Sequence, residues 1–257
     1  MGAELRVAVW QHASALEPAV NRDALAAIEP APGTDLVVLP EAFARDFGEP
    51  GSALAPYAEP LDGPFVGAVR GLADRTGAAV LAGMFERSAD PERPYNTVVL
   101  AQDDRLATYR KIHLYDSFGQ RESDLVAAGE PTPVVVDVAG FRVGLMTCYD
   151  LRFPELARAL VTAGAEVLVL PAAWVAGPGK VEHWQTLLRA RAIENLCWVV
   201  AAGQPGPRYC GHSMVVSPTG DVVAEVADGE HWLTATLDLD AVRDARRRNP
   251  SLENRRM

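Results

Sequence analysis

Cysteine is scarce in this 257-residue chain: Cys148, Cys197 and Cys210 are all there are, and no two stand in a Cys-x-x-Cys pair. A secreted disulfide framework normally shows an even and denser set, so the expected compartment is a reducing cytoplasm. Metal-ligand spacing is absent too. His113, His183, His212 and His231 fit neither HExxH nor a paired Cys/His pattern, and structural or supporting roles are expected for them. No GxGxxG or phosphate-loop pattern occurs, so neither a metal nor a cofactor is expected. Positive charge is in short supply: 24 basic against 34 acidic residues give a formal charge of −10, and the longest basic run is Arg246-Arg247-Arg248. Nucleic acid is therefore not an expected partner. Long apolar runs are missing, which argues against a membrane span. The opening MGAELRVAVWQ has no basic stretch, long apolar segment and cleavage site in series, so it reads as a first strand and not as a signal peptide.

What is present suits one sizeable core. With 49% hydrophobic residues, residues 1–257 are expected to form a single domain. Short β-branched runs recur at Leu5 to Trp10, Asp35 to Pro40, Ala79 to Phe85, Thr97 to Ala101, Val134 to Val138, Phe141 to Thr147, Val167 to Pro171, Trp198 to Ala202, Ser213 to Val216 and Trp232 to Leu239. Helical periodicity falls between several of them, at Val20 to Ile28, Pro64 to Arg75, Pro154 to Ala163 and Val181 to Leu196, with Gly77 and Gly164 just past two of the ends. Runs such as DLVVLP and EVLVLP imply strands buried on both faces, while Ala139-Gly140 and Thr219-Gly220 signal hairpins. A mixed sheet follows, within an α/β class. DLVVLPE and EVLVLPA also suggest two halves sharing one plan of strand, helix, strand and hairpin. The polar tail from about 240 to 257 is expected to pack on a partner subunit.

Three segments each end an apolar run with a reactive side chain: Glu41 in LPEAF, Lys111 in YRKIHLYD and Cys148 in CYDLRFPEL. Together they supply an acid, a cation and a nucleophile. A thiol attacking an amide or nitrile carbon needs a base for its proton and positive charge for the oxyanion that forms. Each residue alone has a plainer reading: a solvated Glu after a strand, a Lys in a surface basic cluster, an inert buried Cys. The combination is what raises them. Burial disfavours the charged form of Glu41 while nearby Lys111 favours it, which leaves it usable as a base. Cys148 follows FRVGLMT and precedes a helix starting near Pro154, where Pro and Glu155 suit the first turn. The thiol is thus expected on a tight strand-to-helix elbow, with backbone amides including that of Tyr149 aimed at the oxyanion. Cys197, inside LCWVVAA, reads as core, and Cys210 as a loop residue that takes no part in catalysis.

The order of these segments, with RESDLVAAGE at 121 to 130, HWQTLLRARAIEN at 183 to 195 and GHSMVVSPTGDVVAE at 211 to 225, resembles the nitrilase superfamily of carbon-nitrogen hydrolases over nearly the whole chain. The resemblance implies a four-layer α-β-β-α sandwich with two mixed β-sheets, and Glu41, Lys111 and Cys148 as catalytic residues. It also implies that Glu122 is a second catalytic glutamate orienting the lysine and substrate. On charge pattern alone, Glu122 beside Arg121 and Asp124 reads as a surface loop. Trp174 in LPAAW falls where related enzymes place a pocket residue, with core packing the alternative. Arg152, four residues past the nucleophile, reads either as a fork for a substrate carboxylate or as half of a buried ion pair.

CYDLRFPEL and RARAIEN look most like the omega-amidase and deaminated-glutathione amidase branch, which implies a small carboxylate-bearing amide substrate; WVAGPGKVEHW departs from the threonine-glycine pattern of that branch. An N-carbamoyl amino-acid hydrolase is the nearest rival, and a nitrilase a more distant one. Two other classes stay open: a Cys-His hydrolase using His113 or His212, and a catalytically silent assembly protein. The resemblance implies association through helices that include the one after the nucleophile, so a homodimer or larger assembly is expected.

Overall fold

The computed structural model describes residues 2–256. The chain folds in the order β1 (Glu4–Gln11), α1 (Pro18–Ala27), β2 (Leu36–Val38), α2 (Pro64–Thr76), β3 (Ala79–Glu86), β4 (Tyr95–Gln102), β5 (Arg105–Arg110), β6 (Val135–Val138), β7 (Phe141–Leu145), α3 (Pro154–Thr162), β8 (Val167–Ala172), α4 (Lys180–Asn195), β9 (Trp198–Gly203), β10 (Ser213–Val216), β11 (Val222–Val226), β12 (His231–Asp238) and α5 (Leu239–Arg248). Short 3-10 turns lie at Ala55–Tyr57, Glu122–Asp124 and Cys148–Arg152.

The strands form two six-stranded sheets, β12-β1-β2-β3-β4-β5 and β11-β10-β9-β8-β7-β6. Each is mixed: β1, β2 and β3 run parallel, as do β7, β8 and β9, and antiparallel strands flank both trios. From β1 to β5 and again from β7 to β11, the order is strand, helix, strand, helix, three strands. DLVVLP and EVLVLP hold the same place in the two halves, each the centre of its parallel trio.

Alternation along the strands explains the layering, because successive side chains leave opposite faces. Val37, Leu39, Val80, Ala82, Val99 and Ala101 pack with Leu25 of α1 and Phe65, Val69 and Leu72 of α2. Their neighbours Leu36, Val38, Leu81, Val98 and Leu100 join a second cluster with the other sheet and with α3 and α4. Two sheets packed face to face under outer helices make the α-β-β-α sandwich. Both faces of β2 and β8 are buried, as their unbroken apolar runs require.

Three elements differ from the sequence reading. β5 and β11 are the outer edges of their sheets, so their residues are less buried and the apolar signal is weak; Val222 and Val223 are exposed. The segment after Leu239 is a helix carrying one narrow buried stripe, Leu239, Val242 and Ala245. It lies on its own chain: Arg246 donates to the carbonyls of Ala165 (2.9 Å) and Leu196 (3.3 Å), and Arg255 to Thr162 Oγ1 (3.3 Å). No helix among the described residues is long and apolar enough to cross a membrane.

Candidate active site

The carboxyl ends of β2, β5, β7 and β8 converge at one edge of the sandwich, where an α/β sheet characteristically builds its site. After β2 the chain turns at Pro40 and presents Glu41, only 1% exposed. Ala42 then takes a φ of 55°, a left-handed conformation that costs a non-glycine residue energy and is commonest where function constrains the backbone. This loop presses on β3: Ala44 N donates to Gly83 O at 2.9 Å, and a Cβ on Gly83 would sit 2.5 Å from Ala42 N and 2.8 Å from Glu41 Cα. The absent side chain at 83 is what admits the acid.

Lys111 follows β5 and is anchored by its amide on Asn96 O at 2.8 Å. Its Nζ reaches Glu41 Oε1 at 3.1 Å and Glu122 Oε2 at 2.8 Å. Burial works against the charge of Lys111, but the Glu122 and Glu41 carboxylates outweigh it and hold the ammonium well above the ordinary lysine range. Glu122 opens a 3-10 turn and is fixed by the Tyr115 amide at 2.6 Å. It is therefore an inward-facing member of the cluster and not part of a solvated surface loop.

Cys148 begins the turn Cys148–Arg152 directly after the β7 segment, with φ 47°. The elbow read from FRVGLMT-CYD is present, and the first amides of such a turn lack partners within it. Burial pushes the Cys148 thiol well above its ordinary range, the Glu41 charge pushes the same way, and Lys111 opposes both. The surroundings of the sulfur thus favour the neutral thiol over the thiolate.

Sequence reasoning missed several groups that hold this cluster. Asn96 Nδ2 donates to both carboxylates, 2.8 Å to Glu41 and 3.1 Å to Glu122; its one signal was a polar residue heading the buried strand YNTVVL. Glu41 Oε2 accepts from the Ala173 amide at 2.7 Å, and Gln204 Nε2 donates to Glu41 O at 2.8 Å. Glu41 and Ala173 follow the equivalent strands of the two halves, so the internal repeat meets itself at the site. Asp150, fully buried, accepts from Thr147 N (2.9 Å), Tyr109 Oη (2.6 Å) and His113 N (3.2 Å), and contacts His113 Nδ1 at 2.8 Å. It ties the end of β5, which carries Lys111, to the elbow that carries Cys148.

A cavity of about 590 Å³ opens over these groups, lined by Glu41, Lys111, Glu122, Cys148, Tyr149 and Trp174, and also by Lys180 and Arg208. Trp174 lines the cavity and donates through its indole to Lys180 O at 3.0 Å. Arg152 does not line it: the guanidinium lies over the Trp174 ring at 4.8 Å and meets His183 Nδ1 at 3.4 Å, without an acidic partner among the described residues. Neither His113 nor His212 lines the cavity; His113 stacks on Phe153 and His212 contacts Glu225 at 2.7 Å. Cys197 is core, its thiol pushed up to about 12 by burial. Cys210, read as a loop residue, is buried, its loop pinned by the Cys210 amide donating to Trp174 O at 2.9 Å. Among the described residues no group of His, Cys, Asp and Glu is arranged to hold a metal ion.

This sandwich with its buried glutamate-lysine-thiol cluster defines the nitrilase superfamily. Within it, the chain belongs to the carbon-nitrogen hydrolase family, whose profile matches residues 6–247. It is 42% identical to a hydrolase of Mycobacterium tuberculosis, over 97% of this chain and 95% of that one. It is 41% identical to a deaminated glutathione amidase of Escherichia coli O157:H7, over 86% and 84% of the two chains. Among solved structures, a CN-hydrolase superfamily protein of Xanthomonas campestris with an arsenic adduct in its active site superposes with a TM-score of 0.88 at 33% identity, over 99% of this chain and 98% of that one. A mutant amidase of Nesterenkonia sp. AN1, carrying an acetamide moiety added covalently at its active-site cysteine, superposes at 0.79 with 28% identity over 99% and 95%. The chain is a carbon-nitrogen hydrolase enzyme.

Proposed function

We propose that this enzyme cleaves the C–N bond of a small, carboxylate-bearing carboxamide through a thioester on Cys148. The observation that carries the reading is a buried thiol in one cavity with a carboxylate that shares a lysine with a second carboxylate. Glu41 takes the thiol proton as sulfur attacks the carbonyl carbon. Lys111 Nζ and the Tyr149 amide stabilise the oxyanion. Glu41 returns the proton to the departing nitrogen as the C–N bond breaks and ammonia leaves; Glu41 then takes a proton from the water that attacks the thioester and passes it to the Cys148 sulfur as the C–S bond breaks and the acid is released. Glu122 and Asn96 keep the lysine charged and aimed. The relatives named deaminated glutathione amidase support an amide substrate, and the covalent adduct on the Nesterenkonia cysteine supports the attacking atom.

The test is ammonia release from omega-amides, deaminated glutathione, N-carbamoyl amino acids and simple nitriles. Wild type is expected to turn over an omega-amide class with an acyl adduct on Cys148 visible by mass, and Cys148→Ala to lose at least about 10³-fold while keeping its fold. Equal turnover by both proteins would remove Cys148 as nucleophile, and carbon dioxide released with ammonia would move the substrate to the carbamoyl class.

The same reading places the enzyme in a reducing cytoplasm as a homodimer. All three cysteines are free and buried. Ile193 of α4 and Val222 and Val223 of β11 are large exposed apolar side chains, and Ile193 lies against the turn at Gly220 that leads into β11. Burying such a strip against a second copy removes it from water. Light scattering is expected to give twice the chain mass; a monomer would overturn the assembly.

A further inference from the structure

Lys180, the first residue of α4, brings into the cavity a cation that the thioester chemistry does not use. It is 8% exposed and lines the same cavity as Cys148 and Glu41. Among the described residues its ammonium makes one hydrogen bond, to Tyr115 Oη at 2.9 Å. Three aromatic rings surround the ammonium, with centroids at 3.7 Å for Phe118, 5.2 Å for Tyr115 and 5.8 Å for Trp174. The nearby Arg152 rests on the Trp174 ring. Among the described residues neither cation is in an ion pair, whereas the more deeply buried Lys111 has two carboxylates. Ring faces and one hydroxyl compensate an ammonium weakly. Burial and the Arg152 charge accordingly hold Lys180 below the ordinary lysine range. Two of the three Nζ donors remain unused, and Tyr115 Oη, accepting from the lysine, keeps its own proton to donate.

We propose that Lys180 Nζ and Tyr115 Oη form the subsite for a carboxylate carried by the substrate away from its scissile amide. The proposal rests on the amidase reading and makes it more specific: the anion supplies the ion-pair partner that Lys180 lacks among the described residues, and selects acidic amides over neutral ones of the same length. It moves the role of carboxylate grip from Arg152, which lies outside the cavity lining, to the lysine in GPGKVEHW.

Two measurements test it. The first is the ratio of kcat/KM for glutaramate over pentanamide in wild type and Lys180→Met, which is expected to fall at least about thirtyfold in the variant, carried by KM. A ratio left unchanged, whether both amides lose equally or neither loses, overturns the subsite. The second needs no turnover: glutarate binding by calorimetry to Cys148→Ala and to Cys148→Ala/Lys180→Met. Binding lost with the lysine supports the subsite even if glutaramate is not hydrolysed. Binding that is absent or indifferent to Lys180 overturns it, while a Cys148 thioester formed from pentanamide leaves the amidase reading standing.

Discussion

Gly83→Ala is expected to lower kcat by at least about 100-fold although position 83 touches no reacting atom, because a misplacement on the order of 1 Å in a catalytic group costs that much. The methyl would stand 2.5 Å from Ala42 N, 2.8 Å from Glu41 Cα and 2.9 Å from Glu41 C. All three are backbone atoms, so no side chain can swing aside. Either β3 moves away from β2, breaking a parallel ladder in which Leu36, Val37 and Val38 pair with Ala79, Val80 and Leu81, or the Glu41 loop lifts. The loop is the softer of the two, since Ala42 already sits in a left-handed conformation. Lifting it pulls Glu41 off Lys111, Asn96 and the Ala173 amide together. Overpacking of this kind costs about 1–3 kcal/mol, so a melting curve should show a folded but weakened protein. Wild-type kcat in a folded Gly83→Ala variant would show that the acid can be held without this close approach.

That glycine illustrates what a sequence conceals. The pattern of apolar runs located ten strands and four helices, because burial on one face or both leaves a direct imprint on residue choice. The edges β5 and β11 left a fainter imprint, and α5 hid behind a single stripe of three residues. Glu41, Lys111 and Cys148 were legible because an acid, a cation and a thiol stand in segments whose order resembles one known family. Their supports were not. Asn96 acts through contacts with residues 26 and 55 positions away, and Asp150, besides its local bond to Thr147, through contacts 37 and 41 positions away; no local spacing encodes the distant pairings. Arg152 was read either as a carboxylate fork or as half of an ion pair; its guanidinium lies over the Trp174 ring and has no acidic partner among the described residues. Lys180, which the fold brings to the cavity from the start of α4, stood in a segment that had registered only as a departure from the family pattern.

Lys111→Met is expected to abolish turnover and to change how stability responds to pH. In wild type the ammonium, 2% exposed, sits between two carboxylates that are themselves almost wholly buried. Removing one partner of a buried ion pair costs about 3–5 kcal/mol, since the charge left behind has lost its compensation. Methionine fills the space without a charge, so the deficit is electrostatic. Two carboxylates then share Asn96 as a donor with no cation between them, and at neutral pH one of the two must take up a proton to stay buried. The variant should therefore be least stable near pH 8 and recover towards about pH 5, as protonation relieves the repulsion. Wild type shows no such change from this group between pH 5 and pH 8. Its lysine is raised well above the usual range in the folded state, so its contribution is complete below the unfolded value of about 10.4 and fades only as pH climbs through the folded one. Denaturant titrations of both proteins at the two pH values read the difference directly. A constant gap between them would mean that Glu41 and Glu122 do not depend on Lys111 for their compensation. A variant that kept measurable turnover would assign the oxyanion to backbone amides alone.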